Sequence, residues 1–129
     1  MRVIAGSAKG AKLLSVPGKT TRPITDQVKE ALFNIIGVDM EGKLFLDLFG
    51  GTGAVGIEAL SRGAEHVVFL DINYRAVKII EENLQITQLH PYATVLKKDA
   101  FAFLRESPKQ AFDFIYIAPP QYRSIWAKT

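Results

Sequence analysis

The 129-residue sequence predicts an α/β fold in three layers: a parallel sheet with helices on both faces. Three observations carry this. From Lys43 onward, short apolar runs alternate with helical segments. The runs are apolar almost throughout, as strands covered on both faces must be. They end in Asp47, Asp71, Asp99 and Ala118-Pro119-Pro120, and in such sheets ligands bind at the carboxyl ends of the strands.

The elements follow in order. "RVIAG" and "AKLLSVP" are short strands around the turn "GSAKG", which predicts a β-hairpin. Gly18-Lys19-Thr20 is like the end of a phosphate-binding P-loop, but Leu13 stands where that pattern needs its first glycine. "TDQVKEALFNII" is a helix that Thr25 can cap, with Asp26 at the positive end of its dipole. Val28, Ala31, Leu32, Ile35 and Ile36 form its expected inner face. "KLFLDLF", "HVVFLD", "TVLKKDA" and "FDFIYIA" are strands. "AVGIEALSR", ended by Gly63, "YRAVKIIEENLQI", with Val77, Ile80 and Leu84 inward, and "FAFLRE" are helices. There are no internal repeats and no low-complexity segments.

Cysteine is absent, which excludes a disulfide framework and a thiolate metal site. His66 and His90 lack metal-ligand spacing, and no metal is expected. No apolar stretch is long enough to span a bilayer and the N-terminus does not read as a signal peptide, so a cytoplasmic protein without a membrane partner is expected. The net charge of +3 is uneven. Arg2, Lys9, Lys12, Lys19, Arg22 and Lys29 face only Asp26 and Glu30 within residues 1–30, while the remainder is nearly neutral. A basic arm on a near-neutral body points to a polyanion such as nucleic acid, or simply to a solvated lysine-rich surface.

"DLFGGTGAVG" joins the first core strand to its helix, and Gly51 to Gly56 spell G-x-G-x-x-G. Glycines let the backbone turn tightly and approach a ligand. Asp71, twenty residues past Gly51, can accept hydrogen bonds from both hydroxyls of a ribose. Together these indicate a nucleoside-containing cofactor. Asp47, four residues before Gly51, would repel a pyrophosphate but suits the ammonium of a methionine moiety. Asp99 can accept from an adenine amino group. S-adenosylmethionine is therefore favoured over NAD. Each carboxylate also has a plain structural use: Asp47 in capping the loop, Asp71 in capping "NYRAV", and Asp99 in capping "AFAFL".

"IYIAPPQY" runs a strand into two prolines. Proline lacks the N–H a central strand needs, so the pair ends the strand and fixes an extended backbone. With these residues on view, "RPITDQVKEALFNI", "LFLDLFGGTGAVGIEALSRGA" and the proline pair resemble the RsmD family, bacterial small-subunit rRNA methyltransferases that modify the exocyclic N2 of a guanine. "MRVIAGSAKGAKL" is similar to that family's N-terminal arm, and the likeness runs from Met1 to about Tyr122.

The resemblance implies a Rossmann-like class I methyltransferase sheet. A basic hairpin arm over residues 1–23 would precede a methyltransferase domain over 24–129 that lacks the family's C-terminal strands. It implies S-adenosyl-L-methionine as cofactor, S-adenosyl-L-homocysteine as its product, and contacts from Asp47, Phe49, Gly50, Gly51, Thr52, Gly53, Asp71, Ile72, Asp99 and Ala100. It implies 16S rRNA as partner, in a small-subunit assembly intermediate, met by Arg2, Lys9, Lys12, Arg22 and Thr25.

The resemblance implies a catalytic segment at Ala118, Pro119, Pro120 and Tyr122. An exocyclic amine is a poor nucleophile because its lone pair is delocalised into the ring. Acceptors for its hydrogens localise that pair and aim it, and an aromatic stacks on the extruded base. The family usually has Asp or Asn, two prolines and an aromatic. Here Ala118 replaces the acidic or amide residue and Gln121 delays the aromatic by one position. Two other hypotheses follow: an RNA- or cofactor-binding module without turnover, from Ala118, and a nicotinamide-dependent oxidoreductase, from the glycine motif with Asp71.

Overall fold

The structure is a computed structural model that describes residues 1–16, 24–36, 39–106 and 112–117. The elements run α1 (Asp26–Ile36), β1 (Leu44–Asp47), α2 (Ala54–Ser61), β2 (His66–Asp71), α3 (Tyr74–Thr87), a 3-10 turn (His90–Tyr92), β3 (Ala93–Lys97), α4 (Ala100–Glu106) and β4 (Phe114–Tyr116). All pairings in the sheet are parallel, in the order β3-β2-β1-β4. The order reverses between β1 and β4, which makes the carboxyl end of β1 a topological switch point.

Alternation along the strands divides the core. Phe45, Val67 and Phe69 face α1, α2 and α3, where they meet Phe33, Ile57, Ile80 and Leu84. Leu46, Leu48, Val68 and Leu70 face the other way, onto Ala100 and Phe103 of α4. The three layers expected from the apolar strands are present, and Val77, Ile80 and Leu84 are buried on α3 as expected. α2 lies flush on β2 because residue 56 is glycine: a Cβ there would sit 2.3 Å from the Phe69 ring.

The N-terminal hairpin is present as a short antiparallel pair with a bridge between Arg2 and Lys12. It lies against α2: Ser61 Oγ donates to Ala5 O at 2.6 Å and accepts from Ala8 N–H at 2.9 Å.

The inner face of α1 differs from the expected one. Phe33 and Lys29 are buried, whereas Val28 is 56% and Ile35 84% exposed. The reason is a partner that the helix periodicity cannot reveal. Lys29 Nζ reaches Glu58 of α2 at 3.2 Å and donates to Arg2 O at 2.6 Å. Glu58 also accepts Ile4 N–H at 2.9 Å and Ala5 N–H at 3.0 Å, and pairs with Arg62 at 2.9 Å. Lys29 and Glu58 are both fully buried, and the Arg62 guanidinium lies 4.8 Å over the Phe33 ring. This placement also corrects the charge count of the basic arm, since Lys29 is neutralised inside the protein and cannot meet a polyanion.

Candidate functional site

The carboxyl ends of β1, β2 and β3 carry the predicted cofactor residues, and the loop over residues 50–53 runs between them. Gly50 N–H donates to Leu70 O at 2.8 Å, and Gly51 N–H to Asp71 Oδ2 at 3.0 Å. Gly53 N–H closes a turn on Gly50 O at 2.7 Å, and Gly53 (φ 81) then starts α2. Gly51 (φ 59) is also in the left-handed region, so the motif's glycines are required by the path of the chain.

Asp47 and Asp71 end adjacent strands but differ in their surroundings. Asp71 is partly exposed; beyond Gly51, its Oδ1 accepts Asn73 N–H at 2.8 Å. Its expected alternative use as a helix cap falls to Asn73, whose side chain accepts from Arg75 and Ala76 N–H at the start of α3. Asp47 is 1% exposed. Its Oδ2 accepts Gly56 N–H at 3.3 Å, while its Oδ1 has no partner. Burial pushes its pKa up to about 7, the Asp71 charge adds to this, and the N–H groups of Gly56 and Phe49 oppose it. Tyr116 of β4, the register partner of Asp47, is also raised, by burial and then by the Asp47 charge.

An orphaned, buried carboxylate oxygen calls for a ligand or a proton. A ligand with a cation over Asp47 and hydroxyls over Asp71 would satisfy both groups. Ile72 is 64% exposed beside Asp71, and Phe49 meets Phe101 edge-on with ring centroids 6.5 Å apart. Asp99 Oδ2 accepts Ala102 N–H at 2.9 Å at the start of α4, so its capping use is realised. Thr25 Oγ1 accepts Val28 N–H at 3.2 Å, as an N-cap does. The side chains of Arg2, Lys9 and Lys12 are exposed. Arg22, Ala118, Pro119, Pro120 and Tyr122 lie outside the described residues.

One polar residue at the loop went unnoticed in the sequence. Asn83 of α3 is fully buried and donates to Thr52 O at 2.8 Å. Thr52 Oγ1 accepts Ala54 N–H at 3.2 Å at the first turn of α2. Asn83 follows Ile80 by three residues and Ala76 by seven, on the inner face of α3, so helical periodicity was the signal that could have found it.

A family model described as Conserved hypothetical protein 95 matches residues 1–128. "Putative rRNA methyltransferase YlbH" of Bacillus subtilis (strain 168) is 46% identical over 122 residues, covering 93% of this chain and 66% of the relative. "Ribosomal RNA small subunit methyltransferase D" of Haemophilus influenzae is 35% identical over 93% of this chain and 63% of its own length. The chain thus spans about two thirds of the length of these curated relatives. Among solved structures, "Putative methyltransferase yhhF from Escherichia coli" superposes with a TM-score of 0.80 at 32% identity, covering 97% of this chain and 66% of that one. A hypothetical protein of Thermus thermophilus gives a TM-score of 0.84 at 31% identity, covering 99% and 74%. The fold is the Rossmann-like sheet of the class I methyltransferases.

Proposed function

Because the chain belongs to the family described as Conserved hypothetical protein 95, the RsmD family its sequence resembles, we propose that it serves S-adenosylmethionine-dependent methylation of the exocyclic N2 of a guanine in 16S rRNA. The observation that carries the cofactor assignment is the pair of carboxylates around the glycine loop. Asp47 offers a buried, unpartnered oxygen for the ammonium of the methionine moiety, and Asp71 offers both oxygens at the rim for the ribose hydroxyls. Phe49, Gly50, Gly51, Thr52 and Gly53 line the approach, and Ile72, Asp99 and Ala100 serve the adenine. When bound, the cofactor supplies a methyl group on a sulfonium cation.

The chain's own part is binding, orientation and acceptance of the amine's hydrogens. The backbone carbonyls at Ala118 and Pro119 take the acceptor role, Pro119 and Pro120 restrict the backbone there, and Tyr122 stacks on the base. Arg2, Lys9, Lys12, Arg22 and Thr25 hold the RNA, with phosphates neutralised by the basic side chains. The substrate is a cytoplasmic small-subunit assembly intermediate. Names of the relatives, which describe rRNA methyltransferases, support this reading. Ala118 favours a second reading, a binding module without turnover.

The test is methyl transfer by the chain to unmodified small-subunit particles, preceded by calorimetric titration with S-adenosylhomocysteine. Micromolar binding that Asp71→Ala abolishes, followed by transfer to a guanine N2, is the expected result. Binding without transfer, restored by Ala118→Asp or Ala118→Asn, would establish the second reading. No binding by a folded sample would overturn the cofactor assignment.

A further inference from the structure

Asn83 joins two regions that the proposed function uses separately. Its Oδ1 accepts Leu14 N–H at 2.7 Å, and its Nδ2 donates to Leu14 O at 3.1 Å and to Thr52 O at 2.8 Å. Both amide hydrogens and the carbonyl oxygen are thus engaged. Leu14 has its N–H and its C=O paired to a single side chain, as a neighbouring strand would pair them. The third bond ends on the carbonyl of Thr52, between Gly51 and Gly53. A second, independent contact links the same regions: Thr52 Oγ1 lies 3.6 Å from Met1 Sδ, and Met1 O accepts Leu13 N–H at 2.9 Å.

We propose that Asn83 is a positioning residue that makes the N-terminal segment and the glycine loop one cooperative unit. A ligand that settles the loop would then also settle residues 1–14, the segment that presents Arg2, Lys9 and Lys12. The physical basis is a shared group. Any movement of the Thr52 carbonyl must break the Asn83 bond or displace the amide that holds Leu14. A buried amide left unsatisfied is costly enough to prefer concerted motion. Cofactor and RNA would favour each other's binding by equal factors, since linkage is reciprocal. The inference rests on the proposed function for the identity of the two ligands, but the coupling belongs to the fold.

The test is amide hydrogen exchange with and without saturating S-adenosylhomocysteine, on the wild-type chain and on Asn83→Ala and Asn83→Asp. Exchange at residues 50–54 should slow on binding in all three proteins. In the wild type, the Leu14 amide should slow as well, by at least about fivefold, the lower end of common coupling factors. Asn83 itself accepts Leu14 N–H, so in the variants the distant effect is read at the Leu13 and Val3 amides, whose acceptors are Met1 O and Ala11 O. There it should be present in the wild type and vanish in the variants while loop protection persists, a split that loss of the Leu14 bond alone would not produce. Protection of the loop without any change at Leu14 in the wild type would overturn the coupling and leave the cofactor assignment standing. No protection at the loop in folded wild type would overturn both. The decisive arm uses the wild type, so poor folding of a variant does not protect the proposal.

Discussion

The two faces of the sheet are built on different terms. One face carries three helices and the N-terminal segment, and its apolar core is crossed by buried polar groups: Glu58 with Lys29, Asn83, and Asp47. The other carries, among the described residues, the short helix α4 over a cluster in which no buried polar side chain falls. Polar groups cost free energy when buried unless they are paired. On the first face each one either fixes the N-terminal segment, as Glu58 and Asn83 do, or carries an unpartnered oxygen at the candidate site, as Asp47 does. The first face thus bears the specificity of assembly and the candidate site, while the second chiefly excludes water.

The largest effect should come from the hub of the first face. Glu58→Ala leaves Lys29 buried without its counter-charge and strips acceptors from Ile4 and Ala5 N–H. Breaking a buried pair in this way costs about 3–5 kcal/mol, enough to unfold a marginal domain. Denaturant melts would read it. The double substitution Lys29→Met, Glu58→Ala should recover much of the loss, because it removes the orphaned charge while leaving the backbone acceptors equally absent. Equal losses in the single and double variants would mean that the backbone bonds, and not the ion pair, dominate.

Asp47 should act in the opposite direction. Its folded pKa, about 7, lies above the unfolded value of 3.8. Below pH 4 the group is protonated in both states and costs nothing. As pH rises toward 7 the unfolded chain releases the proton first, so this group draws stability away, up to about 4 kcal/mol. Asp47→Asn should therefore match the wild type near pH 4, gain progressively up to pH 7, and hold a constant advantage above it. Melting curves across that range check the sign. Ligand binding should show the reverse preference. A cation over Asp47 needs the ionised form, so affinity for S-adenosylhomocysteine should fall in the wild type as pH drops from 8 to 6. In Asp47→Asn it should be weak at both.

On the apolar face the expected loss is smaller and has no pH dependence. Phe103 is 6% exposed against Leu46, Leu48, Val68 and Leu70. Phe103→Ala should cost about 3 kcal/mol, the low end for such truncations, because one short helix can settle into the gap. A loss well above the Glu58→Ala value would invert the comparison.

Local patterning made the sheet legible. The apolar runs became β1 to β4, and Asp47, Asp71 and Asp99 fell at or beside strand ends because strand length and turn chemistry are local properties. What stayed hidden depends on residues far apart. Periodicity set Val28 and Ile35 inward on α1, yet Lys29 is inward because Glu58, on another helix, receives it. Periodicity places Asn83 on the inner face of α3 but does not show what it binds, since its partners Leu14 and Thr52 are remote in sequence. The difference between Asp47 and Asp71 was also illegible, since both are aspartates ending apolar strands and only the switch point beside β4 buries the first.

The smallest predicted effect bears on where the apolar face ends. Ile115 of β4 pairs in register with Leu46 and shares its side of the sheet, but it is 49% exposed where Leu46 is fully buried. Ile117 continues the trend at 62%. Half-exposed positions hold little transfer free energy, and threonine keeps the β-branched shape that a strand favours. Ile115→Thr should therefore shift stability by no more than about 0.5 kcal/mol. Read by denaturant titration, a shift of about 2 kcal/mol or more would show that this side of β4 is covered in solution. The apolar face would then extend past β1 as fully as the polar-crossed face does.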